Sequence, residues 1–341
     1  MLQPWNWQVE RRVPECAGDP AAALAAAASA GEPLVFRKLL RDWPLVAAGR
    51  SGPKQAFDYL SQFDSGAGTK TMLGGPGLGG RFFYADDMLG YNFAVDTVGF
   101  AKVFEQILAL ADHTDPPAIY AGSNPVDTFL PGFAAANPLP LSIPQANARV
   151  WIGNASHVAP HFDISENIAV AALGRRRVTL FPPAQTPNLY VGPLDVTIAG
   201  QPVSMVDIRR PDLARYPRYA EAMQHAIQTE LEPGDAIYMP TLWWHCIEAL
   251  DPANILVNYW YNAPVNSSPF AALVHAMLAV RDLPETEKTA WRHWFDHFVF
   301  DPQAADAASH LPPHARGVGG APGPARAQGI RAFVMRALGV R

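Results

Sequence analysis

Cysteine is nearly absent: Cys16 and Cys246 are the two in a chain of 341 residues. Two such distant residues form neither a disulfide framework nor the paired spacing of a thiolate zinc site, so both read as free thiols of a reducing compartment. Charge is scarce too, at 17% of residues with a formal net charge of -5. No run of lysine or arginine offers an electrostatic footprint for nucleic acid or an anionic membrane. No apolar run reaches the roughly 18 residues of a membrane-spanning helix, and "MLQPWNWQVERRVPE" lacks the apolar centre of a signal peptide. The expectation is a cytoplasmic protein with no nucleic-acid partner and no membrane partner.

What the chain does have is apolar and aromatic surface to bury. Hydrophobic residues make up 49% and aromatics 11%, with 9 Trp and 33 Pro, which excludes a disordered chain. The length suits one large domain with an appendage, or two domains. "DPAAALAAAASAG" predicts a helix capped by Asp19 and ended by Gly31. "EPLVFRKLL" reads as a buried strand and "GPKQAFDYLSQF" as an amphipathic helix. "TKTMLGG" and "GRFFYADD" read as two strands joined by a glycine turn in a hairpin. That turn, "GGPGLGG", holds a nominal G-x-G-x-x-G, but Pro76 sits inside it and no helix follows, so a dinucleotide site is not expected. "VDTVGFAKVFEQILALADH" predicts a helix from Val95 to His113.

From Ala118 to Asn262 short β-like runs recur: "AIYAGS", "ARVWIGN", "NIAVAALG", "RRRVTLFPP", "DAIYMP", "HCIEAL" and "NILVNYWYN". Such spacing predicts a sandwich or barrel. "PDLARYPRYAEAMQ" interrupts it as a helix. After Asn262 the pattern is helical again, in "PFAALVHAMLAVRDL", "ETEKTAWRHWFDHFVF" and "IRAFVMRAL", with an Ala-, Pro- and Gly-rich connection before the last. The expected organisation is an N-terminal α/β portion over residues 1–117 packed on the core, a β core over 118–262 and a helical extension over 263–341.

Within the β region, "PHFD" puts His161 and Asp163 two apart on a strand, hence on one face. "HTD" at His113 to Asp115 has the same spacing but falls in a helix-to-strand loop. Two imidazoles and a carboxylate make a facial metal triad with three positions left open. His245, in "LEPGDAIYMPTLWWHCIEAL", is the candidate third ligand; beside Trp243 and Trp244 it is equally readable as a buried core histidine. "HWFDH" spaces His293 and His297 like a zinc protease helix, but no glutamate follows the first histidine and the surrounding aromatics read as packing.

These stretches, in this order, carry a resemblance. With "ALGRRRVTLFPPAQTPNLYVGPLD", "RRPDLARYPRYAEA" and "ILVNYWYN", the region from about Trp151 to Asn262 resembles the cupin-like JmjC-type Fe(II)/2-oxoglutarate oxygenases, and is similar to an asparaginyl hydroxylase among them. "EPLVFRKLLRDWP" and "RFFYADDMLGYNF" extend the likeness more weakly toward the N-terminus. The resemblance implies a fold that is mainly β with flanking helices: a double-stranded β-helix, or jelly roll, with a C-terminal helical extension. It implies Fe(II) held by His161, Asp163 and His245, and 2-oxoglutarate as co-substrate. Arg176 stands where the hydroxylase has the lysine that pairs with the far carboxylate, and a guanidinium can serve there. Strand alternation puts it on the face opposite Arg175 and Arg177. Tyr120 matches a tyrosine on the same carboxylate, and Asn167 and Asn258 match asparagines beside the co-substrate.

The sequence departs from the hydroxylase at Val158, where a threonine is expected, and at Ser165, where a glutamine touches peptide. The implied reaction is oxidative decarboxylation of 2-oxoglutarate to succinate coupled to hydroxylation of a protein side chain or a small molecule. Phe162, Trp243, Trp244 and Trp260 could form apolar cavity walls, but core packing is the first reading for them. The C-terminal helices imply a homodimer. Two other readings stay open: a non-catalytic cupin-fold binding protein, and a metal-dependent cupin enzyme without co-substrate.

Overall fold

The computed structural model describes residues 4–198, 200–264 and 266–339; Met1 to Gln3 of the stretch read for a signal peptide lie outside them. The chain divides into two compact units, Met1–Ala263 and Pro264–Arg341.

The strands of the first unit begin with β1 (Arg11–Arg12), β2 (Leu34–Phe36), β3 (Gly68–Gly74), β4 (Arg81–Phe82) and β5 (Phe93–Gly99). They continue with β6 (Ala118–Pro125), β7 (Asn147–Gly153), β8 (His157–Val158), β9 (Glu166–Leu173) and β10 (Arg176–Phe181). Last come β11 (Ile227–Leu231), β12 (Ala236–Met239), β13 (Trp244–Ala249) and β14 (Asn254–Tyr261). An eight-stranded sheet has the order β2-β12-β9-β14-β7-β6-β3-β5, and a four-stranded sheet the order β1-β11-β10-β13. Apart from the pairs β1 with β11 and β4 with β8, the ladders are antiparallel.

Period-two alternation explains how the sheets face each other. In β9, Ile168, Val170 and Ala172 join one apolar cluster while Ala169 and Ala171 join another. The first cluster packs the large sheet against helices Pro44–Arg50, Pro53–Ser61 and Phe100–Ala109. The second lies between the sheets, where Ala169, Ile237 and Leu256 meet Val178, Leu180 and Leu231. Both faces of β9, β12 and β14 are therefore buried, which is why these strands read as almost continuous apolar runs. The outer face of the small sheet carries Phe181, Trp244 and Cys246 and is covered by the helix Tyr219–His225 and the segment around Val206. The result is a cupin jelly roll, mainly β with flanking helices.

Local chemistry accounts for several ends. Asp19 Oδ2 accepts the Ala22 N–H at 2.8 Å, and Gly31 takes a left-handed φ of 66° to close the first helix. Gly174 (φ +70°) makes the tight link between β9 and β10, and a Cβ there would fall 2.3 Å from Asn254 Oδ1.

Three expectations change. The helix expected from Val95 begins only at Phe100, because β-branched Val95, Thr97 and Val98 extend as β5 along β3. The glycine run does not close a hairpin: β3 pairs with β5 and β6, whereas β4 pairs in parallel with β8, drawn there by burial of Phe82 against Val158. The helix expected from Pro211 forms only over Tyr219–His225, after a run of turns. In the second unit, helices span Pro269–Val280, Glu285–Phe295 and Pro324–Ala337. Leu278, Trp294 and Phe298 stand exposed on it.

Candidate functional site

His161 and His245 are brought together by backbone pairing. The His161 N–H donates to the His245 carbonyl at 3.0 Å and the His245 N–H to the His161 carbonyl at 2.6 Å, so both side chains leave on one face. Their ring centroids are 4.6 Å apart. Asp163 is tied to the same turn: its carbonyl accepts the Leu242 N–H at 2.9 Å. One ligand atom each from His161, Asp163 and His245 lie within 4.8 Å of one another, the sole such group among the described residues. His113, Asp115, His293 and His297 belong to none; Asp115 instead accepts the Gly77 N–H at 2.8 Å.

The tautomers suit a cation. His161 Nδ1 lies 2.9 Å from the Ala159 carbonyl oxygen and His245 Nδ1 lies 3.1 Å from that of Trp243. A carbonyl only accepts, so Nδ1 carries the proton and Nε2 keeps its lone pair. Burial, with His245 beside it, pushes the His161 pKa down to about 4, and the ring is neutral at pH 7. Asp163 Oδ2 accepts from Trp260 Nε1 at 3.0 Å and from Asn167 Nδ2 at 3.1 Å. Both donors land on the oxygen that lies 3.8 Å from His245 Nε2, and they hold the carboxylate in place beside the histidines. The network continues: Asn258 Nδ2 donates to Asn167 Oδ1 at 3.1 Å, and Trp151 Nε1 to Asn258 Oδ1 at 2.6 Å.

These groups line a cavity of about 440 Å³ that also contains Tyr120 and Arg176. All seven residues singled out in the sequence, Tyr120, His161, Asp163, Asn167, Arg176, His245 and Asn258, lie in its wall. Arg176 shares the inner face of the small sheet with His245, since Arg176 pairs with Ala249 and Leu180 with His245 in one register. Arg177 points the other way, to Glu230 at 2.8 Å, and Arg175 pairs with Asp251 at 2.7 Å. Arg176 is 4% exposed and its Nε has no hydrogen-bond partner. Burial lowers its pKa to about 10, which still leaves a cation at pH 7. Burial also raises the Tyr120 hydroxyl, keeping it protonated, and the charge that opposes this most is Arg176. Gly122 leaves room for the tyrosine: a Cβ there would fall 2.7 Å from the Tyr120 ring and 2.8 Å from Trp151.

Of the four aromatics weighed as wall or core, Trp260 faces the cavity and Phe162 and Trp244 pack, as the first reading had it. Trp260 and Val158 line the cavity, and Ser165 does not. Phe162 turns outward and packs edge-on against Trp244 at 5.0 Å, in the cluster behind the small sheet. Trp243 donates Nε1 to the Gly31 carbonyl at 2.8 Å. Sequence reasoning missed the polar roles of Trp151 and Trp260; for Trp260 the available signal was its place two residues after Asn258 on one strand face, and Trp151 carries no such local signal. It also missed His157, buried with both ring nitrogens unpaired.

A jelly roll that gathers two histidines and an aspartate in one cavity is a cupin with a grouping that could hold a metal ion. The chain belongs to the cupin-like, JmjC-type family, whose cupin-like domain matches residues 20–267. Among curated relatives it is 36% identical over 114 residues to HSPB1-associated protein 1 of Homo sapiens, covering 33% of this chain and 22% of that one. It is 34% identical over 113 residues to lysine-specific demethylase 8 of Xenopus tropicalis, covering 33% and 24%. With tRNA wybutosine-synthesizing protein 5 of Gallus gallus it shares 28% identity over 141 residues, covering 37% and 42%. The matched segment thus spans less than half the length of each. No helix among the described residues is long and apolar enough to cross a membrane.

Proposed function

We propose that the chain is an Fe(II)- and 2-oxoglutarate-dependent dioxygenase that hydroxylates a protein side chain or a small molecule, with 2-oxoglutarate decarboxylated to succinate. The observation that carries this reading is Arg176, a buried cation with no ion-pair partner among the described residues and with its Nε unpaired, in the same cavity as the His-Asp-His group. An uncompensated buried charge is costly, so a cavity that keeps one is built for an anionic ligand. A co-substrate-free cupin has no use for it.

His161, Asp163 and His245 would hold the iron, a set that fits a divalent first-row metal and leaves three positions open. Iron, when bound, supplies the activation of dioxygen; the remaining tasks fall to the chain. Arg176 and Tyr120 bind the far carboxylate of 2-oxoglutarate, the first by charge and the second by its hydroxyl proton. Asn167 and Asn258 flank the co-substrate while holding Asp163 in position. Val158, in place of a hydroxyl-bearing residue, contributes apolar surface and one hydrogen bond fewer. Demethylation would draw on the same residues, because it begins with hydroxylation of a methyl group.

The test is succinate formation from 2-oxoglutarate with added Fe(II), beside a His245→Ala variant. Iron-dependent turnover lost in the variant supports the reading; no iron-dependent turnover with any substrate pool returns the chain to the class of binding cupins. We also propose a homodimer formed through the C-terminal helices, supported by the exposed Leu278, Trp294 and Phe298. A monomeric mass by light scattering at micromolar concentration overturns it.

A further inference from the structure

A second cavity in the first unit, of about 450 Å³, has a different character from the first. Arg81, Arg209, His157 and Asp207 line it, with Gly77 and Gly79 at one side. His157 lines the first cavity as well, so its ring stands in a wall the two share. The residue is 4% exposed, and neither ring nitrogen has a hydrogen-bond partner. A buried donor left unmade is expensive, and a folded chain keeps one where something outside the chain completes the bond.

Arg81 sits half-buried at the start of β4, its guanidinium carbon 3.8 Å above the Phe83 ring. No carboxylate lies within ion-pair distance of it among the described residues, and burial lowers its pKa against the pull of Asp207. Arg209, by contrast, is committed to the buried Glu248. The acids of the lining are Asp207, whose Oδ1 accepts the Arg209 backbone N–H at 3.0 Å, and Asp86 at the exposed rim. At His157 the positive charges prevail: burial, then Arg209 and Arg81, hold its pKa down to about 3, and no carboxylate opposes them. The imidazole is therefore neutral, with one N–H to donate.

We propose that this cavity binds a small oxyanion, the phosphate or carboxylate group of a ligand other than the co-substrate, with Arg81 as counter-charge and His157 as hydrogen-bond donor. A guanidinium held flat on an aromatic ring is preorganised for two-point contact with an oxyanion. A cationic ligand would meet the field of both arginines, and an apolar one would bury Arg81 against nothing. The glycine run serves the cavity as backbone: Gly77 and Gly79 take left-handed φ values of 84° and 56° and turn the chain around its edge.

Calorimetric titration of the full chain with inorganic phosphate and, separately, with acetate tests this. Saturable binding of at least one is expected, and the stronger of the two identifies the oxyanion. Arg81→Gln should weaken it about tenfold, the effect of losing one charge-assisted contact. Arg176→Gln, in the first cavity, should leave it unchanged. On the wild-type chain, the His157 ring resonances should move with phosphate or acetate, which keeps the test independent of whether the variant folds. The proposal fails if neither anion binds below about 10 mM, if the His157 resonances stay still, or if Arg176→Gln weakens binding while Arg81→Gln does not, which would place the contact in the first cavity. None of these outcomes depends on whether the first cavity is catalytic.

Discussion

Arg176 and Arg177 are neighbours with opposite fates. Arg177 reaches Glu230 at the surface, while Arg176 is buried with no ion-pair partner among the described residues, because strand alternation sends successive side chains to opposite faces. If Arg176 binds the co-substrate, Arg176→Ala should raise the KM for 2-oxoglutarate by about tenfold or more, as expected for a charge-assisted bidentate contact. Arg176→Lys should recover part of the loss. An unchanged KM in the alanine variant would remove Arg176 from that role. Trp260 offers a finer test, since its Nε1 holds Asp163 Oδ2 while its ring forms cavity wall. Trp260→Phe keeps the wall and deletes the bond, so metal affinity measured by Fe(II) or Co(II) titration should fall about tenfold. Equal affinity in the two proteins would show that Asn167 alone suffices to orient the carboxylate.

Among the elements, the link between β9 and β10 carries the most consequence for its size. It joins the large sheet to the small one and sets the register in which Arg176 faces inward. Gly174 makes the link possible with φ +70°, and its missing Cβ leaves space for Asn254. Gly174→Ala combines a strained φ with a clash, and should cost about 2 kcal/mol or more of unfolding free energy by denaturant titration. A loss below about 0.5 kcal/mol would mean that the turn relaxes at little cost. The glycine run between β3 and β4 shows the opposite case. Its composition is that of a hairpin turn, yet β4 pairs with β8, a strand brought in from far along the chain by tertiary packing.

For the molecule as a whole, the buried histidines tie stability to pH. His157 and His161 have folded pKa values of about 3 and about 4, below the usual value of about 6.5 in an unfolded chain. Between those values and about 6.5 the unfolded chain binds protons that the folded one does not, so acid favours unfolding. The metal-free protein should be most stable above about pH 6.5 and lose stability progressively as the pH falls toward 4. Denaturant midpoints measured across this range check it, and His157→Gln should flatten the slope. A midpoint independent of pH between 7 and 5 would contradict the burial of these rings.

Much of the site was legible in the chain itself. The two-residue spacing of His161 and Asp163 was legible, although the strand expected for them reduces to a single bridge from His161 to His245 and Asp163 lies in no strand; alternation along β10 separates Arg176 from Arg177. The second is a local consequence of strand geometry, and it holds wherever β10 ends up. The fold class was legible too, since strands buried on both faces must be apolar almost throughout. Tertiary structure alone decided which distant residues meet. The His161 and His245 backbones pair across a long stretch of chain, Phe162 turns away from the cavity that its neighbours line, and His157 is enclosed between two cavities because β4 finds β8. None of these is written locally: each depends on which apolar surfaces are left to bury once the sheets have formed, and burial has no direction along the sequence.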